Sequence, residues 1–286
     1  MKKIFYGLCQ ELRTVIFNWN FIFCVIAAFL LYFSCGIYND INTGRVYSVF
    51  ECLQKLPEDF LKSNVMFSSY RIVTSSTGGH SQYFAAVITA FPFIARFCEE
   101  RTSGNIRMVI SRTGRRNYYI IKFLTAVISG GFIIFSAWAF FVLAIYIFFP
   151  SSSYYGQQQP DEYIIIIKTM AGSFFFGSVS VLPVVFFSSF FKNRYMVTCI
   201  PFTLMYLYHM LLDRIAIDSI IIKKLPYGCK LEQILDPVTI TLFHYLKYGG
   251  HINYNVLYSM VFHGGLMVIC YTGFYFILER RWDYGA

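Results

Sequence analysis

The chain has 286 residues, of which 57% are hydrophobic and 14% are charged, with a formal net charge of +9 and a mean hydropathy of +0.53. Soluble domains are about 45–50% apolar and about 25% charged, so one core of this size cannot bury the excess apolar surface. Intrinsic disorder is excluded as well, because it requires low hydrophobicity and high charge. The composition therefore predicts a membrane protein.

Long stretches without Asp, Glu, Lys or Arg predict the membrane-spanning helices. A bilayer core of about 30 Å needs roughly 20 helical residues. Six spans are predicted, at about 18–38, 76–97, 119–149, 169–191, 195–212 and 256–278, and the outer half of the second is polar. The predicted fold class is an all-α polytopic membrane protein with a single transmembrane domain over 1–286. Its outer segments are 39–75, 151–162 and 213–255, and the short apolar pieces of the last are predicted to be re-entrant or surface helices.

Residues 1–17 precede the first span and follow a different pattern. Apolar side chains recur there at helical spacing, namely Ile4, Phe5, Leu8, Leu12, Val15 and Ile16, whereas Lys3, Gln10 and Arg13 fall on the opposite side. This pattern predicts an amphipathic elbow helix that lies in the inner membrane interface. A cleaved signal peptide is not expected, because no small-residue cleavage pattern follows the apolar run.

The distribution of charge predicts the topology. Fourteen of the 24 Lys and Arg residues fall on one side of the predicted spans, together with five of the 15 acidic residues. The positive-inside rule makes that side cytoplasmic and places both termini in the cytoplasm. We therefore expect an integral membrane protein of a bacterial cell membrane, surrounded by membrane lipids. Membrane topology and anionic headgroups explain the excess of basic over acidic residues, so no nucleic-acid partner is expected.

The cysteines and histidines do not predict a cofactor site. Eight cysteines are present, and a Cys52–Cys229 disulfide is one option because both fall in outer segments, although sequence cannot fix connectivity. No Cys and His pair has metal-ligand spacing, so no metal is expected. His263 is interpreted as a hydrogen-bonded packing residue, with a proton relay as the less favoured alternative. The near absence of charges within the spans disfavours a proton- or sodium-coupled transporter.

The connection between the second and third spans carries the most specific pattern. Acidic residues end a span, a glycine permits a tight turn, one or two apolar helical turns follow, and arginines open the next span. The residues in this pattern are Glu99, Glu100, Arg101, Gly104, Ile106, Ser111, Arg115, Arg116 and Lys122. A short rigid helix between two membrane helices can pass motion from a cytoplasmic partner into the membrane. A basic loop that only fixes topology is the alternative.

This string resembles the signature of type-2 ABC export permeases, in which Glu-Glu-Arg precedes Gly, an apolar stretch to Ser, and then Arg and Lys. It departs from that signature at Thr113, where a proline is common, and in a Ser111-to-Lys122 interval that is one residue short. The resemblance implies a permease subunit that works as a homo- or heterodimer and lacks its own ATPase. Separate ABC ATPase subunits would bind ATP and Mg²⁺, and Ile106–Ser111 would be the coupling helix that meets them.

The same resemblance leaves some residues with two interpretations. The small residues Ser76, Gly78, Gly79 and Ala86 would line the pathway or a dimer interface, or they would pack within the subunit. A non-transporting sensor or immunity protein on this scaffold is a rival function. A membrane enzyme is disfavoured, because the sequence has no phosphate-binding loop, no G-x-S-x-G and no H-E-x-x-H. The substrate does not follow from the sequence, and export follows only from the resemblance.

Overall fold

A computed structural model of the protein describes residues 2–40, 44–76, 80–156, 162–217, 230–245, 247–248 and 251–280. The helices are α1 (Lys2–Ile16), α2 (Trp19–Phe33), α3 (Val49–Lys55), α4 (Glu58–Ser63), α5 (Ser69–Ser75), α6 (His80–Thr102), α7 (Ile106–Thr113), α8 (Arg115–Phe148), α9 (Glu162–Ser180), α10 (Leu182–Ser188), α11 (Arg194–Ile217), α12 (Leu231–Leu235) and α13 (Tyr254–Arg280). Short 3₁₀ helices cover Val65–Phe67, Ser152–Tyr155 and Pro237–Tyr245. Two antiparallel pairs of strands complete the fold, β1 (Gly36–Asp40) with β2 (Arg45–Ser48) and β3 (Lys247–Tyr248) with β4 (His251–Ile252).

Four helical stretches among the described residues are long and apolar enough to cross a membrane. They are Arg115–Phe148, Glu162–Ser188, Arg194–Leu212 and Tyr254–Arg280. A fifth results if α1 and α2, which are bent by 64° at their junction, form one span. The prediction of a mainly helical membrane protein is therefore confirmed. Helix α6 has 23 residues but is not among these stretches. It begins with polar residues, and Arg96, Glu99, Glu100 and Arg101 lie near its end.

The first predicted span is too long at its outer end. Helix α2 ends at Phe33, and the next residues form strand β1 instead of further helical turns. The 15 residues of α2 cover only about 22 Å at 1.5 Å per residue. Absence of charge alone could not separate an apolar helix from an apolar strand, and this is why the predicted boundary at 38 is wrong.

The segment between α2 and α6 folds into a compact unit rather than an open loop. The side chain of Ser48 caps α3 by accepting a hydrogen bond from the Glu51 amide, and the Glu51 carboxylate accepts one from the Ser48 amide. Glu51 also forms ion pairs with Arg45 at 3.1 Å and with Lys55 at 2.6 Å. These contacts, with the fully buried Cys52 below them, hold α3 against the β1–β2 pair.

The apolar interior consists of two clusters at different levels of the helix bundle. One joins α6, α8, α10 and α13 around Phe97, Tyr119 and Phe274. The other joins α2, α3, α5 and α8 around Tyr32 and Trp138. Helix α6 takes part in both clusters and contacts α2, α8, α9, α10 and α11. Helix α6 therefore helps to join the two clusters, as does α8.

Within the predicted 213–255 segment, the described residues 237–242 pack among the longer helices, whereas Lys230, Leu231 and Ile252 are exposed. The 3₁₀ helix Pro237–Tyr245 packs against α9 and α13, and Ile240 within it is almost fully buried. Gly172 of α9 makes this contact possible, because a Cβ there would lie 2.7 Å from the Ile240 carbonyl oxygen. The Tyr208 hydroxyl donates a hydrogen bond of 2.8 Å to the Leu235 carbonyl. The segment thus connects α9, α11 and α13, which agrees better with a re-entrant piece than with a surface helix.

Candidate functional site

Helix α7 is a short, separate element between α6 and α8. It is bounded by Gly104, with φ of 73°, and by Gly114, with φ of 80°. Both values lie in the left-handed region that other residues rarely adopt. A Cβ at either position would meet no atom within 4 Å, so the backbone conformation and not the available space requires glycine there. The two glycines allow the chain to leave α6, form two helical turns and enter α8 in a new direction.

The two sides of α7 have different surroundings. Ile106 is 2% exposed and belongs to the apolar cluster around Phe97, Tyr119 and Phe274, and Val109 and Ile110 pack against the same cluster. The opposite side is exposed and consists of Arg107, Met108, Ser111 and Arg112. These positions follow the helical spacing of i, i+3 and i+4, so one face attaches α7 to the bundle while the other is exposed.

A buried ion cluster lies beneath α7, where three helices meet. Lys122 of α8 is 2% exposed, and its Nζ lies 2.9 Å from Oε2 of Glu11 in α1. The same Nζ lies 2.8 Å from Oε1 and 2.7 Å from Oε2 of Glu100 in α6. A buried ammonium is stable only when it is paired, and Glu11 and Glu100 provide that pairing for Lys122.

Further contacts complete the charge balance around Glu100. Arg96 Nε donates to Glu100 Oε1 at 3.2 Å, and the Tyr118 hydroxyl donates to Glu100 Oε2 at 3.1 Å. Two cations, Lys122 and Arg96, thus face two carboxylates, Glu11 and Glu100. The cluster is neutral as a whole and joins α1, α6 and α8 at their inner ends.

Arg101 makes a second inner link, from α6 to the connection between α10 and α11. Its guanidinium donates to the backbone carbonyl of Ser188, and also to that of Phe191 at 3.2 Å. It also lies over the Phe97 ring, 5.8 Å from the centroid. A helix end leaves carbonyls without partners, and a buried arginine satisfies them well because its donors form a planar fork.

A cleft of about 570 Å³ opens between α1 and α7, with the ion cluster at its floor. Its walls and floor include Gly7, Gln10 and Glu11 from α1, Met108, Val109 and Arg112 from α7, and Tyr118, Ile121 and Lys122 from α8. Gly7 lets α1 approach α8 closely, because a Cβ there would lie 2.7 Å from Ile121 Cδ1. The site is therefore a recess with an exposed helix at its rim and paired charges inside.

The residues predicted to meet an ATPase divide into two sets. Glu99, Gly104, Ser111, Arg115 and Arg116 are exposed around α7. Glu100, Arg101 and Ile106 are turned inward, where they hold the base of α7 and the helix ends. Lys122 belongs with the inward set, and the structure brings it together with Glu100.

Glu11 is the residue that sequence analysis missed. It stands one helical turn after Gly7, and both residues face α8. A glycine and an acid at i and i+4 within an amphipathic helix are a local signal for close docking onto a basic partner. That signal alone does not identify Lys122 among the fourteen cations on the same predicted side.

The other predicted residues lie away from this recess. Ser76 and Ala86 are almost fully buried within the chain, which favours packing within the subunit, whereas Gly78 and Gly79 lie outside the described residues. Burial raises the pKa of the Cys52 thiol to about 11, and its suggested partner Cys229 also lies outside the described residues. The disulfide and the dimer-interface assignments stay predictions.

The histidine prediction agrees with the geometry. His263 is 3% exposed, and its Nδ1 lies 2.8 Å from the carbonyl oxygen of Ser259, one turn earlier in α13. This contact is typical of a packing histidine. Across the described ranges, no three His, Cys, Asp or Glu side chains are grouped so as to hold a metal ion.

Comparison with known proteins adds no identification. No protein-family model matches the sequence, and no curated protein matches it.

Proposed function

We propose that this chain is the membrane-spanning permease subunit of an ATP-driven exporter and that it couples to separate ATPase subunits through α7. The observation that carries the proposal is α7 itself, an eight-residue helix between two long helices, bounded by two left-handed glycines and attached over a buried ion cluster. The resemblance of the Glu99–Lys122 string to type-2 ABC permeases supports the same assignment. ATP and Mg²⁺ would be bound by the partner and not by this chain.

The proposal includes six spans, formed by α2, α6, α8, α9 with α10, α11 and α13. Helix α6 is included because its neighbours on several sides shield it from lipid, which makes a polar first turn tolerable. Helix α1 would then lie in the inner interface, in keeping with its 64° bend from α2. Both termini would be cytoplasmic under the positive-inside rule.

The mechanical role of the site follows from its contacts. A partner that pushes on the exposed face of α7 presses Ile106 against the ends of α6 and α8. The glycine turns let α7 tilt as a unit, and the Lys122 cluster makes α1, α6 and α8 respond together. Rigid-body motion of this kind is a standard way for a small displacement to change a distant pathway. Two such subunits would enclose that pathway between them.

The proposal is tested by isolating the native complex in mild detergent and assaying ATP hydrolysis. We expect an ATPase with a Walker motif to be recovered in a near one-to-one ratio and to be stimulated by the permease. Recovery of the chain alone, under conditions that keep a known transporter intact, would contradict the proposal.

A matched pair of glycine variants then tests the role of α7. Gly104→Ala forces alanine into the left-handed region at a cost of about 1–2 kcal/mol, and it should uncouple stimulated hydrolysis. Gly44→Ala introduces the same strain at φ of 64° in the turn between β1 and β2, with no neighbouring atom within 4 Å in either case. Equal hydrolysis in the two variants would contradict a role for the α7 turn.

A further inference from the structure

The cleft between α1 and α7 is lined by charges of both signs. Its lining includes three cations and three carboxylates, namely Arg96, Arg112, Lys122, Glu11, Glu99 and Glu100. Four of these six are paired with one another in the cluster around Lys122. The side chains of Glu99 and Arg112 are exposed and form no ion pair or hydrogen bond with any residue that the structure describes. One carboxylate and one guanidinium of the lining therefore remain available to a ligand.

The uncharged part of the lining adds amide groups and an apolar surface. Gln10 of α1 and Asn105, just before α7, are exposed and bring side-chain amides to the cleft. Amide N–H groups donate hydrogen bonds, and a guanidinium binds phosphate through two parallel N–H donors. Met108 also lines the cleft, and its side chain is 64% exposed. The cleft thus combines donors for a phosphate, an acceptor for a cation and an apolar wall.

The α1 side of the cleft carries exposed aromatic residues. Tyr6 stands one helical turn before Gln10 and Phe17 two turns after it, so the three side chains follow one stripe of α1. Tyr6 is 74% exposed and Phe17 is 84% exposed. Amphipathic aromatic rings are favoured at the level of the lipid headgroups, and an exposed aromatic stripe suits a helix that lies there. With α1 in the inner interface, the cleft beside Gln10 opens at headgroup level.

We propose that this cleft binds one phospholipid whose headgroup combines a phosphate with a primary ammonium, as in phosphatidylethanolamine. Arg112 and Gln10 donate to the phosphate, the Glu99 carboxylate accepts from the ammonium, and Met108 contacts the apolar part of the lipid. A primary ammonium has three N–H donors, whereas a choline headgroup has none and a glycerol headgroup has no cation. The inference rests on the interfacial placement of α1 in the proposed function, but it requires no ATPase.

The test measures lipid binding to the full chain, purified in detergent, by native mass spectrometry. Dioctanoyl phosphatidylethanolamine should bind about tenfold more tightly than the dioctanoyl phosphatidylcholine and phosphatidylglycerol, because only it gains the charged hydrogen bond to Glu99. Glu99→Gln should weaken ethanolamine-lipid binding about tenfold and leave choline-lipid binding within about twofold. Arg112→Gln should weaken the binding of all three lipids, because each contains the same phosphate.

Two control variants separate the cleft from general electrostatics. Glu279→Gln and Arg280→Gln make the same charge changes at exposed positions of α13, and each should leave lipid affinity within about twofold. Equal affinities for the three lipids, or equal weakening by the α13 controls, would overturn the inference.

A soluble competitor distinguishes a lipid from a free zwitterion. Glycerophosphoethanolamine has the same headgroup chemistry without acyl chains and should compete weakly, because it cannot bury apolar surface against the cleft. Competition as strong as that of the lipid would overturn the lipid assignment. Recovery of an ATPase with the native complex is a separate measurement, so a failure of the lipid inference and a failure of the proposed function are distinguishable.

Discussion

Replacing Lys122 by methionine tests whether the buried ion cluster holds three helices together. The ammonium is 2% exposed, whereas the side chains of Glu11 and Glu100 are 19% and 16% exposed. Removing one partner of a buried pair costs about 3–5 kcal/mol, because the remaining charge is left uncompensated. The partial exposure of both carboxylates, and the Arg96 contact that Glu100 retains at 3.2 Å, place the cost at the lower end, about 3 kcal/mol.

The assay is thermal unfolding of the purified chain in detergent. A loss of about 3 kcal/mol corresponds to a Tm decrease of roughly 6–12 °C for a chain of this size. Adding Glu11→Gln and Glu100→Gln to Lys122→Met should recover most of that loss, because the cation that then remains, Arg96, has a side chain that is 37% exposed and can be solvated. A Tm for Lys122→Met within about 2 °C of wild type, or no recovery in the triple variant, would refute the argument that pairing stabilises this junction.

Two further predictions concern regions outside the cluster. Gly172→Ala should lower the free energy of unfolding by about 1–3 kcal/mol, because the new Cβ would lie 2.7 Å from the Ile240 carbonyl oxygen. Gly264→Ala is the control and should be neutral or slightly stabilising, because no atom lies within 4 Å of its Cβ position. Equal Tm values for the two variants would contradict the close packing of α9. Hydrogen bonds from Lys55 and from the Ser48 backbone lower the pKa of Glu51 to about 2, so its stabilising contribution is complete above its ordinary pKa of about 4.3 and is lost as the pH falls toward 2. The Tm difference between wild type and Glu51→Gln should therefore stay constant near neutral pH and close between about pH 4.5 and about pH 2; a difference that persists at the acidic end would contradict the assignment.

Helix α7 shows what local sequence is able to predict. The order of acids, glycine, apolar turn and arginines gave a short helix at 106–110, and the structure has one at Ile106–Thr113. The two glycines and the 3.6-residue period act within a few residues, so the sequence contains the necessary information. The same is true of the break between α1 and α2, where Asn18 caps the second helix by accepting a hydrogen bond from the Asn20 amide.

The Lys122 cluster shows where local sequence stops being informative. Glu11 and Lys122 are separated by 111 positions, and their contact depends on how α1 packs against α8. The interpretation of Glu100 changes for the same reason, because its partners come from α6 and from two positions in α8. The residue types predicted that the whole pattern would form a surface for a partner. In the folded chain, however, Glu100, Arg101 and Ile106 of that pattern face the interior.

Helix α6 has a lower hydropathy than the four candidate spans, although it packs against five other helices. Its mean hydropathy is lowered by the polar first turn, yet Thr89 at its middle is fully buried and donates a hydrogen bond of 2.7 Å to the Ala85 carbonyl. Most of α6 packs against other helices, which lets it satisfy its polar groups within the bundle, while Phe84 and Phe91 are 42% and 43% exposed on its outer face. Its inner end also carries Glu100 and Arg101, which tie it to α1, α8 and the α10–α11 connection. In the proposed coupling, a displacement of α7 would pass first to α8, against which α7 packs, and through the contact between Lys122 and Glu100 to α6.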